Sequence, residues 1–195
     1  IYCAVTDNDW FDFLRARPGL LEINFWKPTP QAFKAVGERG IFAFKLKAPR
    51  SKIAGFGVLT TSADAQINLA WQAFGEGNGV PGLRTFVSKI AQIRKSTDVN
   101  EYSFIGVRVL VHHVFFPEEL WFDPPSDWAG NIVTGKTYSS GTVAGAWLLN
   151  ELETRAGGFP EAVAPRYDFP GLSATPQAGY GAAIPIKPRL GQGTF

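Results

Sequence analysis

Two histidines and one cysteine are nearly all this chain has of the side chains that most often hold transition metals. The single thiol, Cys3, has no disulfide partner and no second thiol for a zinc site, so it reads as a residue of a core strand. His112 and His113 are adjacent in an extended segment, which sends consecutive side chains to opposite faces; at most one of them lines a pocket. No apolar run approaches the roughly 20 residues of a spanning helix, and the first ten residues carry no basic leader. A soluble, cytoplasmic protein without a membrane partner is therefore expected. Charge is balanced too: 19 Lys and Arg against 17 Asp and Glu give +2, far from a polybasic binder. There is no internal repeat. The run Gly75-Glu76-Gly77-Asn78-Gly79 lacks a following Lys-Ser or Lys-Thr and the dinucleotide spacing, so it reads as a mobile loop under Trp71 or beside a groove rather than a phosphate cradle.

What the chain does have is apolar and aromatic residues: 45% hydrophobic, with 16 Phe and 6 Trp in 195 residues, enough for one well-buried core. Ile1 to Val5 reads as a buried strand, and Asp7 to Asp9 then cap a helix that presents Trp10, Phe13 and Leu14 on one face and stops before Pro18-Gly19. Leu21 to Trp26 is extended. Ile41 to Ala48 and Ile53 to Thr60 form a strand pair around Pro49-Arg50-Ser51-Lys52. Leu69 to Phe74 and Leu83 to Arg94 are helical, Ser103 to Phe116 is the longest strand signal, and Val143 to Arg155 is a last helix with Trp147, Leu148 and Leu152 inward. Mixed rather than alternating elements predict an α+β fold, a curved mixed sheet or small barrel flanked by helices. Residues 157–195 hold 7 Gly and 6 Pro in 39, which predicts a domain over 1–156 followed by a linker or arm.

Catalytic constellations are scarce, and no catalytic or metal-binding residue is assigned. Asp7, Asp9 and Asp12 sit at a helix start, where unpaired amides and the helix dipole favour carboxylates, and capping accounts for Asp9. A metal-dependent hydrolase using that cluster stays open as an alternative. Basic residues fall in two groups, Lys34 to Lys52 and Arg84 to Lys95, which make a phosphate-attracting face if they share one side, or else guard an exposed strand edge. Trp26, after Asn24-Phe25, and Trp128, between Asp127 and Asn131, stand in polar loop contexts. A ring beside Asn or Asp suits a flat heterocycle, stacked on the ring while its edge is read by hydrogen bonds.

Several segments resemble the N-terminal region of a bacterial family of HNH endonucleases. They are Val5-Thr6-Asp7 with Asp9-Trp10-Phe11, Asn24-Phe25-Trp26-Lys27-Pro28, Phe42 to Arg50, Ala70 to Gly79, Phe115-Phe116-Pro117, Asp127-Trp128 with Asn131-Ile132-Val133, Gly135 to Tyr138, and Pro188 to Phe195. The resemblance implies that the last motif opens the nuclease domain, which the chain does not contain, and that any divalent metal and any homodimer belong to that domain. More distantly, the order of a strand ending in Thr-Asp, an Asn-aromatic segment and the Ile53 to Val58 run resembles EVE and related PUA-like domains, among them readers that flip a modified base into an aromatic cage. Leu69 to Arg94 departs from that pattern as an insertion without an assigned role.

The resulting expectation is a module that binds modified double-stranded DNA without a cofactor of its own. Asp7, Trp10, Asn24, Phe25, Trp26, Trp128 and Asn131 would form the base pocket; Lys27, Lys45, Lys47, Arg50, Lys52, Lys136 and Tyr138 would contact the backbone. Modified cytosine is the first candidate and methyladenine the second, and an RNA-binding PUA-like module is the further alternative.

Overall fold

A computed structural model describes residues 1–159. The expected arm lies outside them from residue 160 onward, as does the motif at 188–195. The described residues form a mixed α+β fold on one curved, unclosed sheet of six strands. The strands are β1 (Tyr2–Thr6), β2 (Glu22–Asn24), β3 (Ile41–Leu46), β4 (Ile53–Gln66), β5 (Phe104–Phe115) and β6 (Gly135–Thr137), in the spatial order β2-β5-β4-β3-β1-β6. β1 and β3 run parallel, with Tyr2 opposite Phe42 and Thr6 opposite Leu46; every other pairing is antiparallel. The α+β class with a curved mixed sheet is therefore the one expected.

Period-two alternation divides the core between the two faces of the sheet. Tyr2, Ala4, Phe42 and Phe44 point to one side, where helix α1 (Asn8–Arg15) packs through Trp10, Phe11 and Leu14. Cys3, Ile41 and Ala43 point to the other, under α4 (Val143–Ala156). α4 buries Leu148 and Leu152 as expected, but Trp147 stays 39% exposed. In α1 Phe11 is buried with Trp10 and Leu14 in place of the expected Phe13, whose ring instead lies 3.3 Å from the Arg17 guanidinium. Interior strands covered on both faces read as continuous apolar runs, and β1 and β3 do so. Because β3 lies between β4 and β1, its lysines guard no edge, which removes that alternative.

The long β4–β5 ladder carries a third cluster at its far end. Ile67 and Ala70 of α2 (Ile67–Phe74) and Phe86 and Ile90 of α3 (Leu83–Arg94) cover Ile105, Val107 and Val109 there. β4 runs six residues beyond the expected Thr60, and its register slips at two places. One slip falls where Val58 pairs with Val111 and Phe56 with Val114, leaving His112 in the left-handed region at φ 46°. This bulge overturns the expected alternation of His112 and His113: both line the same cavity, beside Arg15 and Arg17.

Candidate nucleic-acid interface

A cavity of about 230 Å³ opens between α1, α3 and the segment after β2. Trp10, Phe25 and Trp26 supply its aromatic walls, Val5, Pro28, Ile93 and Val133 its aliphatic ones, and Asp7, Lys27, Lys47 and Lys89 its charge. Four of the seven residues expected in a base pocket therefore meet here: Asp7, Trp10, Phe25 and Trp26.

The walls are held by a buried amide network that the sequence reading placed elsewhere. Asn24, expected to read the base, is fully buried behind the wall. Its Nδ2 donates to Asn78 Oδ1 at 2.8 Å, its Oδ1 accepts from the Arg108 amide at 3.1 Å, and its carbonyl accepts from the Trp10 indole at 3.3 Å. Asn78, equally buried, donates through Nδ2 to the carbonyls of Ala70 and Gly75, and its own carbonyl accepts from Trp26 Nε1 at 2.9 Å. Both indole N–H groups are thus satisfied on the protein side, which fixes the ring planes; Trp10 and Phe25 are buried, and Trp26 is the half-buried ring of the three. Asn78 ends a 3-10 turn, Gly75–Asn78. The turn packs under Trp10 rather than Trp71: Gly79 has φ +73°, and a Cβ there would lie 2.1 Å from the indole. The expected mobile loop is therefore a buried pin, and the unassigned insertion supplies it together with Lys89 and Ile93.

Asp7 is the N-cap of α1; Oδ1 accepts from the Trp10 amide at 3.2 Å and from Lys89 Nζ at 2.8 Å, and Oδ2 accepts from Lys47 Nζ at 3.1 Å. Burial pushes this carboxyl up, but the hydrogen bonds and charges of Lys89 and Lys47 outweigh it and hold it below the usual carboxylate range. With roughly four acceptor positions on a carboxylate, three are filled and one remains for a ligand N–H. The two basic segments do converge, but on Asp7. Lys27 is different: no hydrogen bond or ion pair engages its ammonium among the described residues, and burial, then Arg108 and Lys47, lower its proton affinity. Three ammonium groups stand against the Asp7 carboxylate in the lining and Asp9, 3.7 Å from Lys89 outside it, which leaves the mouth net positive.

Other expected contacts lie elsewhere. Trp128 packs into the second core with Lys45 Nζ 5.4 Å from its ring centroid, and Asn131 is exposed away from the cavity. Tyr138 is buried, and its hydroxyl donates to Asp127 Oδ1 at 3.0 Å, so a backbone contact by that residue is corrected to a core role. Lys136 pairs with the same Asp127 at 2.8 Å, Lys52 with Asp123 at 2.8 Å, and Arg50 spans both oxygens of Asp12 at 2.8 Å each. The hydrolase alternative fares no better: Asp7 and Asp12 face different cations, and no group of three metal-ligating side chains converges among the described residues. Lys89, Ile93, Val133 and Asn78 were not foreseen as parts of the site. Lys89 stood on the polar side of a predicted helix, and Asn78 was the only non-glycine amide in a glycine run, the one signal that it has a side-chain task.

No family profile matches the chain, and no curated protein does. Among solved structures, the chain is similar to the ASCH protein from Zymomonas mobilis at 13% identity and a TM-score of 0.45, over 76% of this chain and 94% of that one. Two single-substitution variants of the same protein align at 12% and 9% identity with TM-scores of 0.46 and 0.45, over 76% of this chain and 96% and 94% of theirs. At these identities and TM-scores the likeness assigns neither a family nor a role to the chain. Among the described residues, no helix is long and apolar enough to cross a membrane.

Proposed function

We propose that this domain reads nucleic acid by accepting one base, flipped out of a DNA duplex, into the cavity bounded by Trp10, Phe25 and Trp26. The observation that carries the reading is the pairing of fixed aromatic walls with one open carboxylate position and three ammonium groups at the mouth. A cavity of about 230 Å³ falls below the ~300–1,000 Å³ of drug-sized sites and suits a single heterocycle. The half-buried Trp26 ring offers stacking, the free acceptor of Asp7 suits an exocyclic amino group, and Lys27, with no anion of its own, suits a flanking phosphate. Amino-bearing bases fit this edge, cytosine modified at its ring carbon first and methyladenine second. The resemblance over 188–195 extends the proposal to a parent protein in which this reader, in the cytoplasm, directs an HNH nuclease that carries the metal, the cleavage and any dimer contact.

Binding of the purified chain to matched duplexes, plain or carrying C5-modified cytosine or methyladenine, tests the proposal, with RNA of the same sequence as a further arm. Unstacking and unpairing cost a few kcal/mol, offset by stacking at about 1–3 kcal/mol per base; a preference of about tenfold for one modified duplex is expected, the equivalent of about 1.4 kcal/mol of contact with the modifying group itself. Equal affinity for all duplexes would sink modified-base reading, and tighter binding of RNA would move the function to an RNA module.

A further inference from the structure

The bulge in β5 has no part in the base cavity, yet it turns both histidines of the chain into one separate cavity of about 420 Å³. Bulges beside sites re-aim side chains, and a non-glycine residue in the left-handed region, as His112 is, marks a backbone held by its surroundings. Gly57 opposite makes the room: a Cβ on it would lie 3.1 Å from Leu110 Cβ and 3.5 Å from His113 Cβ. Arg15 and Arg17, at and just beyond the end of α1, line the same cavity. His113 Nδ1 is buried and has no hydrogen-bond partner, although its residue lines the cavity. The carboxylates facing this group are Glu118, 3.5 Å from Arg15, and Glu76, 3.1 Å from Arg17, both on exposed side chains. Such exposed pairs are weak and exchange readily for a phosphate, which binds a guanidinium through charge-assisted hydrogen bonds.

We propose that Arg15, Arg17, His112 and His113 form a second anion-binding position, and that it takes a phosphate of the strand whose base enters the aromatic cavity. The proposal rests on the base-reading function above and adds the path of the strand to it. The two positions lie at opposite ends of α1, since Asp7 caps its start and Arg15 is its last residue. Eight residues at about 1.5 Å each separate them by ~12 Å, the rise of about three to four nucleotides at ~3.4 Å per strand step. Phosphates flanking a flipped base fall within that span.

The chain contains only these two histidines, so their imidazole resonances report this cavity alone. Addition of a bound duplex to the full chain should shift both sets of signals. Arg15→Gln combined with Arg17→Gln should weaken duplex binding about tenfold and lower the salt slope by about one to two units, without changing the preference between modified and plain DNA. Imidazole signals unmoved by a duplex that binds overturn the proposal, as does a double variant with the original salt slope. Signals that move with inorganic phosphate but not with duplex assign the cavity to a free anion and also overturn it. Equal binding of modified and plain duplexes, with shifted imidazoles and a reduced slope in the double variant, defeats base reading and leaves this strand contact standing. Failure of every duplex to bind overturns both.

Discussion

Trp26 and Trp128 carry a similar signal in the sequence, an aromatic ring near an asparagine in a polar loop, but the fold uses them in opposite ways. Around Trp128 the polar neighbours satisfy one another: Asp127 accepts from Tyr138 and Lys136, and Lys45 lies against the ring, so the indole becomes part of the core wall. Around Trp26 the polar neighbours hold the ring by its edge. Asn78 takes the indole N–H, Phe86 meets the ring edge-on at 5.3 Å, and a cavity remains at the ring. Polar company leaves a cavity at an aromatic ring only when its hydrogen bonds hold the ring by the edge.

The largest effect expected from this contrast is at the pin. Asn78→Ala leaves the carbonyls of Ala70 and Gly75 and the Asn24 amide without their partner in a buried place. Each such group costs about 1–3 kcal/mol, so a loss of roughly 3 kcal/mol or more is expected. Thermal denaturation should show a Tm lower by about 10 °C at ~2–4 °C per kcal/mol. Asn131→Ala, on the exposed side of the Trp128 loop, should stay within ~0.5 kcal/mol of the parent. Similar losses for the two would dissolve the difference between the regions.

Binding separates them next. Trp26→Ala should remove about tenfold of the preference between modified and plain DNA, whereas Trp128→Ala should cost stability and leave the preference intact. Because Trp26 also holds the Asn78 carbonyl, Trp26→Phe serves as a control that retains a ring to stack on. Preference surviving in folded Trp26→Ala would shift the stacking role to Trp10 or Phe25. A smaller effect is expected from the lysines. Lys27→Gln, removing the unpartnered ammonium at the mouth, should lower the salt slope by about one unit, and Lys45→Gln, on the Trp128 ring, should leave it unchanged.

Much of this was legible from local pattern. The strand pair around Pro49, the helix from Leu83 to Arg94 and the long strand before Pro117 follow from periodicity and turn chemistry; Phe25 and Trp26 stand out by their polar context, whereas Asp7 and Trp10 join the expected pocket only with the resemblance. What stayed hidden depends on distant partners. Asn24 and Asn78 are 54 residues apart, and each alone reads differently, Asn24 as a base-reading amide and Asn78 as part of a mobile loop. Lys89 meets Asp7 across 82 residues, and the bulge that turns His112 depends on its register against Gly57 and Phe56. Basic residues misled for the same reason: a sequence records each cation but not the carboxylate that folding places beside it.

Arg50 gives the finest test of that last point. It reads from the sequence as a phosphate contact in a hairpin turn, but in the structure its guanidinium forks onto both oxygens of Asp12, which with charge from Asp12, Glu118 and Asp9 raises its proton affinity further. The side chains are 32% and 40% exposed, so solvent screening keeps the pair near the ~0–1 kcal/mol of surface ion pairs, toward the upper end for a bidentate geometry. Arg50→Gln should therefore lower stability by less than about 1 kcal/mol in denaturant titration and leave the salt slope of DNA binding unchanged. A slope lower by a full unit would mean that the pair opens on binding and that the guanidinium moves from carboxylate to phosphate. Asp12→Asn supplies the converse arm. It frees Arg50 without removing it, so tighter DNA binding in Asp12→Asn together with an unchanged slope in Arg50→Gln would show that the carboxylate, rather than distance, keeps this cation out of the interface.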